Sequence, residues 1–298
     1  MYNLKIFKGK KVLITGHTGF KGSWLALWLC HLGANVLGIS NTYSTNPNHF
    51  KLLKPKLKIK SLSIDISNLN KIEKAVKYYK PDFVFHLAAQ ALVGKSYLDP
   101  ITTFQSNTIG TLNLLQSLRK LKKKCTAIII TSDKSYKNLE INRGYREEDL
   151  LGGKDPYSAS KAAAEMILHC YSNIFFDKKS NIKISIARAG NVIGGGDWSQ
   201  DRLIPDCVKS WAIKKKVILR NPHSTRPWQH VLEAISGYLF LALELNKKKS
   251  LHGEAFNFGP NNKVNKDVIS LVRIMKKFWK NVDWELNKSK SKKIFESN

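Results

Sequence analysis

The stretch TGHTGFKG, Thr15 to Gly22, constrains this chain more than any other. It follows the apolar run KVLIT and opens FKGSWLALWLCHLG, where Phe20, Trp24, Leu27 and Trp28 recur at helical spacing and Gly33 is a stop signal. A strand, a glycine turn and a helix in that order present free backbone N–H groups at a helix N-terminus. Those groups suit a pyrophosphate, and Gly16, Gly19 and Gly22 let it come close. Glycines alone also serve tight turns, so the strand–turn–helix context carries the dinucleotide reading. His17, Thr18, Phe20 and Lys21 complete the expected cofactor loop.

The pattern around this loop alternates. Apolar runs at NVLGIS, IKSLSID, DFVFHLAA, TAIIITS and KISIARA read as further strands. Helical segments separate them, among them NLNKIEKAVKYYK and two that open on Asp99-Pro100 and Asp155-Pro156. Strands apolar throughout and separated by helices predict an α/β fold, a Rossmann-type doubly wound parallel sheet covered on both faces. Beyond about Gly190 the pattern loosens into shorter elements with more glycine and tryptophan. Residues 1–190 are therefore expected to form the dinucleotide-binding domain. Residues 191–298 are expected to form a smaller C-terminal lobe, with some segments returning to the sheet.

Composition excludes several classes. The 298 residues, 43% hydrophobic, suffice for a large core. Cys30, Cys125, Cys170 and Cys207 lie far apart, which argues against a zinc site or disulfide framework and for a reducing compartment. No metal site is expected. The N-terminus shows no signal-peptide pattern, and no apolar run approaches the ~20 residues of a membrane span, so a cytoplasmic protein with no membrane partner is expected. The formal net charge is +28. Its lysines come in scattered short runs, at 122–124, 214–216 and 247–249, without interleaved aromatic residues. That pattern predicts no specific nucleic-acid partner, though the field attracts anionic substrates.

The second strand ends in GISNTYST, which carries no acid for a ribose. Ser40 or Asn41 could replace it, or Lys21 could meet a 2′-phosphate, so these residues leave NAD against NADP open. Asp65 and Ile66 follow the third strand, where they can meet the adenine or where Asp65 can cap a helix. In DPYSASK, Tyr157 and Lys161 stand one helical turn apart on one face. A lysine cation there, with a positively charged nicotinamide nearby, is expected to favour the phenolate and lower the phenol pKa, so that Tyr157 can take a proton from a hydroxyl. Ser132, Asp133 and Lys134 close the apolar strand before it. Alternate strand residues face opposite ways, so all three can serve one site only if the backbone leaves β conformation near Asp133.

These motifs, with HLAAQ, NTIGTLNLL and RAGNVIGGGDW, resemble the extended short-chain dehydrogenases/reductases acting on nucleotide sugars. GHTGFKGSWL, TSDKSYKN, DRLIPD and TRPWQHVLE are similar to the branch that dehydrates CDP-glucose. Related dTDP-glucose dehydratases carry Asp-Glu where this chain has Asp133-Lys134, and the epimerases generally lack the pair.

The resemblance implies NAD as cofactor, with Leu87, Ala88, Ala89, Gln90 and Asn107 also lining its site. It implies CDP-glucose as substrate and a redox-neutral loss of water. Tyr157 would act at the 4-hydroxyl with Ser132 and Lys161. Lys134 would be the C5 base, and Asp133 the acid for the C6 hydroxyl. Arg226 would hold the substrate diphosphate, with Asn191, Arg202 and His230 at the cleft. It also implies a homodimer or homotetramer paired through the Pro100 and Pro156 helices. A nucleotide-sugar 4-epimerase is the enzyme alternative. Chains of this family usually continue past VDWEL, whereas here a lysine-rich tail, NKSKSKKIFESN, follows. That shortened end is expected to be disordered and to weaken the substrate lobe, which leaves an inactive NAD-binding protein as the other alternative.

Overall fold

The computed structural model describes residues 4–141, 143–177, 179–261 and 266–286. The tail expected to be disordered lies outside these residues. Seven strands form one parallel sheet. β1 (Lys11–Thr15), β2 (Asn35–Ser40), β3 (Ile59–Ser63), β4 (Phe83–His86), β5 (Cys125–Ile130) and β6 (Ile182–Ala189) come in chain order. Ala255–Phe258 adds the last strand beside β6, so the sheet runs β3-β2-β1-β4-β5-β6 and then Ala255–Phe258. The order reverses between β1 and β4, and ligands of open α/β sheets bind at such a switch point.

β4 and β5 are buried at every residue, as the apolar runs require. One core lies under the Phe20–His31 and Val231–Lys247 helices, around Leu25, Leu29, Ile128, Ile235 and Leu239. The other lies under the Leu69–Tyr79, Gly110–Arg119 and Pro156–Ile174 helices, around Ile72, Leu114, Ile129 and Leu168. A third, smaller core gathers Cys207, Trp211, Val217, Leu219, Val272 and Val282. The helix expected from Pro100 is not uniform. It runs as Pro100–Phe104, widens into a π-turn over Gln105–Ile109, and resumes as Gly110–Arg119. The lysine runs at 122–124 and 214–216 stand just past helix C-termini, and that at 247–249 straddles one; cations there oppose the helix dipole favourably. Among the described residues no helix is long and apolar enough to cross a membrane. All four cysteines are unpaired.

Candidate active site

The glycine turn sits at the switch point. Gly16 has φ +77°, and a Cβ there would stand 2.6 Å from the Ala88 amide nitrogen. The turn after β1 is thus pressed against the turn after β4. A Cβ on Gly22 would stand 2.1 Å from the Gly16 carbonyl oxygen, so the helix packs onto its own turn. Gly19 begins the Phe20–His31 helix and offers no side chain to satisfy its first amides. Apart from the Gly16 oxygen at 3.3 Å, nothing occupies the space a Gly19 side chain would fill. An uncapped helix start with an open approach fits a dinucleotide pyrophosphate.

The other loop residues divide. The His17 ring turns inward, where Nε2 meets Ser61 Oγ at 2.7 Å and Phe50 packs edge-on, so only its backbone is left to face a cofactor. Thr18 Oγ1 meets Ser40 Oγ at 2.6 Å and donates to the Thr42 carbonyl at 2.7 Å. Asn41 donates to Asp65 at 2.8 Å. The two residues considered as ribose partners are therefore already tied to neighbours. Asp65 also accepts from the Ser67 amide and hydroxyl, while Asn68 caps the Leu69–Tyr79 helix instead. Burial raises the Asp65 pKa, but these donors outweigh it and hold the carboxyl below its ordinary value. Ile66 is buried and seats Gly110.

Lys21 is half-buried. Its charged neighbours are Arg202, Asp133, Asp197 and Lys161. Of the two readings left open for Lys21, these neighbours favour a place beside Asp133 over contact with a 2′-phosphate. Burial, then Arg202, lowers its pKa to about 8, with Asp133 and Asp197 opposing.

At the end of β4, Thr15 and Thr111 hold His86 by its two nitrogens, at 2.6 and 3.0 Å. Burial, with Lys161 adding, lowers that imidazole to about 3, so it stays neutral. Leu87, Ala88, Ala89 and Gln90 follow. Asn107, in the π-turn, accepts from the Gln90 amide at 2.8 Å and donates to its carbonyl at 3.1 Å. It also donates to Ser160 at 2.9 Å. Asn107 thereby ties the turn after β4 to the Tyr157 helix, and π-turns recur at such sites.

Ser132 is extended, and Asp133–Ser135 close into a 3-10 turn against the Pro156–Ile174 helix. The backbone leaves β conformation where the chemistry requires it. The Ser132 hydroxyl donates to Asp133 at 2.9 Å and accepts from the Lys134 amide at 3.2 Å. Tyr157 and Lys161 are both buried, and Lys161 Nζ lies 3.5 Å from the Ile130 carbonyl. In the free protein the phenol stands above its ordinary value. Burial raises it, the hydrogen bond to Ser132 opposes, and the Asp133 charge raises it further. Burial and then Lys21 lower Lys161 to about 8, against the pull of Glu165.

Two lysines that lose solvent on folding leave a signature in stability. Unfolded, each titrates at 10.5; folded, at about 8. Between these values the unfolded chain binds more protons, so stability must rise with pH. Urea midpoints of the ligand-free protein are expected to carry this upward contribution between pH 8 and 10. A Lys21→Met/Lys161→Met variant should lose it, and identical slopes for parent and variant would contradict the burial argument.

The four substrate-side residues are less gathered. Arg202 pairs with Asp197 at 2.9 Å, and its charge reaches Tyr157 and Lys21. The Asn191 carbonyl accepts from the Gln229 amide at 3.4 Å. His230 begins the Val231–Lys247 helix, and its Nδ1 accepts from the Leu232 amide at 3.2 Å, so half of the ring is used as a cap. Arg226 donates to the Thr225 carbonyl at 2.7 Å on the short strand Thr225–Arg226.

Sequence reasoning passed over Glu165 and Arg188. Glu165 stands four residues after Lys161, a lone acid within AAAEMIL, and that spacing was the available signal.

A parallel sheet with its glycine turn at the switch point, and a Tyr-Lys pair facing a Ser-Asp-Lys turn, define a short-chain dehydrogenase/reductase of the extended kind. The family model of GDP-mannose 4,6 dehydratase matches residues 13–296, and the chain belongs to that family. It is 43% identical over 283 residues to the CDP-glucose 4,6-dehydratase of Salmonella typhimurium, covering 94% of this chain and 79% of that protein. Among solved structures, the epimerase Mth375 of Methanothermobacter thermautotrophicus superposes with a TM-score of 0.84 at 23% identity, covering 95% of this chain and 81% of the other. UDP-glucuronic acid 4-epimerase of Bacillus cereus, in complex with UDP-glucuronic acid and NAD, gives 0.79 at 25%, covering 94% and 86%.

Proposed function

We propose that this chain is a hydro-lyase that converts CDP-glucose to CDP-4-keto-6-deoxyglucose. One observation carries the reading. The Asp133-Lys134 pair is turned out of the strand beside Ser132 and against the Tyr157–Lys161 helix, in a chain 43% identical to a CDP-glucose 4,6-dehydratase. A 4-epimerase needs the tyrosine and lysine but has no use for a second acid and base.

The turn at Gly16, Gly19 and Gly22 would hold NAD, which would supply a reversible two-electron acceptor for the hydride of C4 and donor of the same hydride to C6, so that the reaction is redox-neutral. Tyr157, next to Ser132, takes the proton of the sugar 4-hydroxyl. The buried Lys161 cation favours the phenolate once that proton moves. A ketone at C4 acidifies the C5 proton, which the Lys134 amine removes. Asp133 gives a proton to the C6 hydroxyl as it leaves as water, and the Lys134 ammonium can hand a proton back to C5 as the C4-derived hydride is returned to C6, which completes the 4-keto-6-deoxy sugar. Arg226, Arg202, Asn191 and His230 belong to the nucleotide-sugar side, in a lobe formed largely by residues 191–298. The unpaired cysteines and the soluble substrate fit a reducing, cytoplasmic setting.

Incubation with a panel of nucleotide glucoses tests this. The alkaline absorbance of a 4-keto-6-deoxy sugar should appear with CDP-glucose. A product that keeps its C6 hydroxyl would favour the epimerase, and cofactor binding without any turnover would mean an inactive relative.

Assembly belongs to the same reading. The Val93–Leu98, Pro100–Phe104 and Pro156–Ile174 helices pack together. They leave Leu98, Ile101, Met166 and Ile174 more than half exposed. A second copy applied across a two-fold axis would cover such a face as a four-helix contact. Light scattering at micromolar protein is expected to give the mass of two or four chains, and Ile101→Glu should lower it. A monomeric mass for the parent would end the proposal.

A further inference from the structure

The Ser132–Ser135 turn is bracketed by Thr131 and Tyr136, and both lead to one buried ion pair. Glu165 is fully buried and Arg188 is 2% exposed. Arg188 Nε and Nη2 donate to Glu165 at 2.9 and 2.5 Å. The Thr131 hydroxyl donates to the other side of the same carboxylate at 2.6 Å. Arg188 Nη1 donates to the Tyr136 hydroxyl at 2.6 Å and to the Glu147 carbonyl at 3.0 Å. Its guanidinium also lies over the Tyr136 ring, 4.7 Å from the centroid. The Tyr136 hydroxyl in turn donates a hydrogen bond to Asn257 Oδ1 at 2.8 Å, on the strand beside β6.

A buried ion pair is a poor stabiliser on its own, because desolvation consumes much of the attraction and apolar residues often serve as well. A buried pair must also satisfy its remaining lone pairs and protons, so what marks this one is where those bonds end. Besides the Glu147 carbonyl, they end on Thr131 and Tyr136, the residue before the turn and the residue after it. Glu165 also stands one helical turn from Lys161, and Arg188 lies on the strand that pairs with β5.

We propose that Glu165 and Arg188 are positioning residues, which grip Thr131 and Tyr136 and so hold Ser132, Asp133 and Lys134 in register with Tyr157. The proposal rests on the dehydratase reading for the role of that turn, while the grip itself can be tested without it. A site loosened by about 1 Å can lose about 10²-fold in rate.

Thr131→Val and Tyr136→Phe each delete one hydroxyl and leave both charges paired. Glu165 keeps its bonds from Arg188, and Arg188 keeps Glu165 and the Glu147 carbonyl. Each variant is expected to melt within a few degrees of the parent. Each should lower kcat about 10-fold or more with KM nearly unchanged, since the turn acts in the proton transfers rather than in holding the nucleotide. Thr131→Ser, which restores the hydroxyl, should restore kcat. Hydrogen exchange supplies the independent arm. The Lys134, Ser135 and Tyr136 amides bond back to Ser132 and Asp133, and they should exchange faster in both variants while the β5 amides do not. Parent-like kcat and parent-like exchange in both variants would overturn the proposal. If the parent itself turns over no nucleotide sugar, the dehydratase reading fails and exchange alone decides: faster exchange supports the grip, and parent-like exchange overturns it.

Discussion

A Lys134→Ala protein given CDP-glucose is expected to carry the sugar only as far as the C4 ketone. Tyr157, Ser132 and Lys161 remain, so the first oxidation proceeds and reduced nicotinamide builds up on the enzyme. Elimination then stalls for want of a C5 base, and little 6-deoxy product forms. Loss of a positioned proton-transfer group usually costs about 10²–10⁴-fold. Exchange of the C5 proton with solvent deuterium should slow in parallel. Tyr157→Phe should behave differently, with no reduced nicotinamide at all, because the block precedes oxidation. The comparison separates two residues that a simple activity assay would score alike. A Lys134→Ala protein with parental turnover and normal C5 exchange would reduce Asp133-Lys134 to a turn that happens to carry charge.

The parts of this site that were legible in the sequence are those fixed by local rules. Gly16 and Gly22 announce a turn because only a residue without Cβ fits where Ala88 and the Gly16 carbonyl press in. Tyr157 and Lys161 share a face because 3.6 residues make a helical turn. The departure from β geometry at Asp133 followed from strand alternation alone, and the 3-10 turn provides it. What stayed illegible depends on distant partners. Nothing local tells that Lys21 lies beside Asp133 and Arg202, since its place depends on the loop around Asp197, more than 170 residues away. The His17 ring was assigned to the cofactor on its place in the motif, yet Gly38 leaves a slot under β2 that the ring fills. The Tyr157 phenol is a related case: in the free protein the cost of burying the phenolate, which no local pattern announces, is the largest effect on its pKa. The π-turn that places Asn107 has no sequence signal that a regular helix lacks.

The glycine turn offers the second large effect, and its two later glycines should fail in different ways. A methyl on Gly22 would meet the Gly16 carbonyl oxygen at 2.1 Å, which is backbone and cannot move aside without opening the turn. Overpacking of this kind costs about 1–3 kcal/mol or more. Gly22→Ala should therefore lower the melting temperature of the ligand-free protein by about 5 °C and weaken NAD binding as the turn deforms. Gly19 has ordinary extended backbone, φ −76° and ψ 169°, and its methyl would meet only the Gly16 oxygen at 3.3 Å. Gly19→Ala should fold with a melting temperature close to the parent's. Its methyl, however, stands in the open approach to the uncapped amides of the Phe20–His31 helix. An anion must come through that space to reach them. NAD affinity is expected to fall about 100-fold, roughly 2.7 kcal/mol of binding free energy, with little change in stability. Calorimetric melting and cofactor titration on the two variants give the four numbers needed. If Gly19→Ala binds NAD as the parent does, Gly19 is there only to make the turn, and the pyrophosphate does not approach the helix by this route.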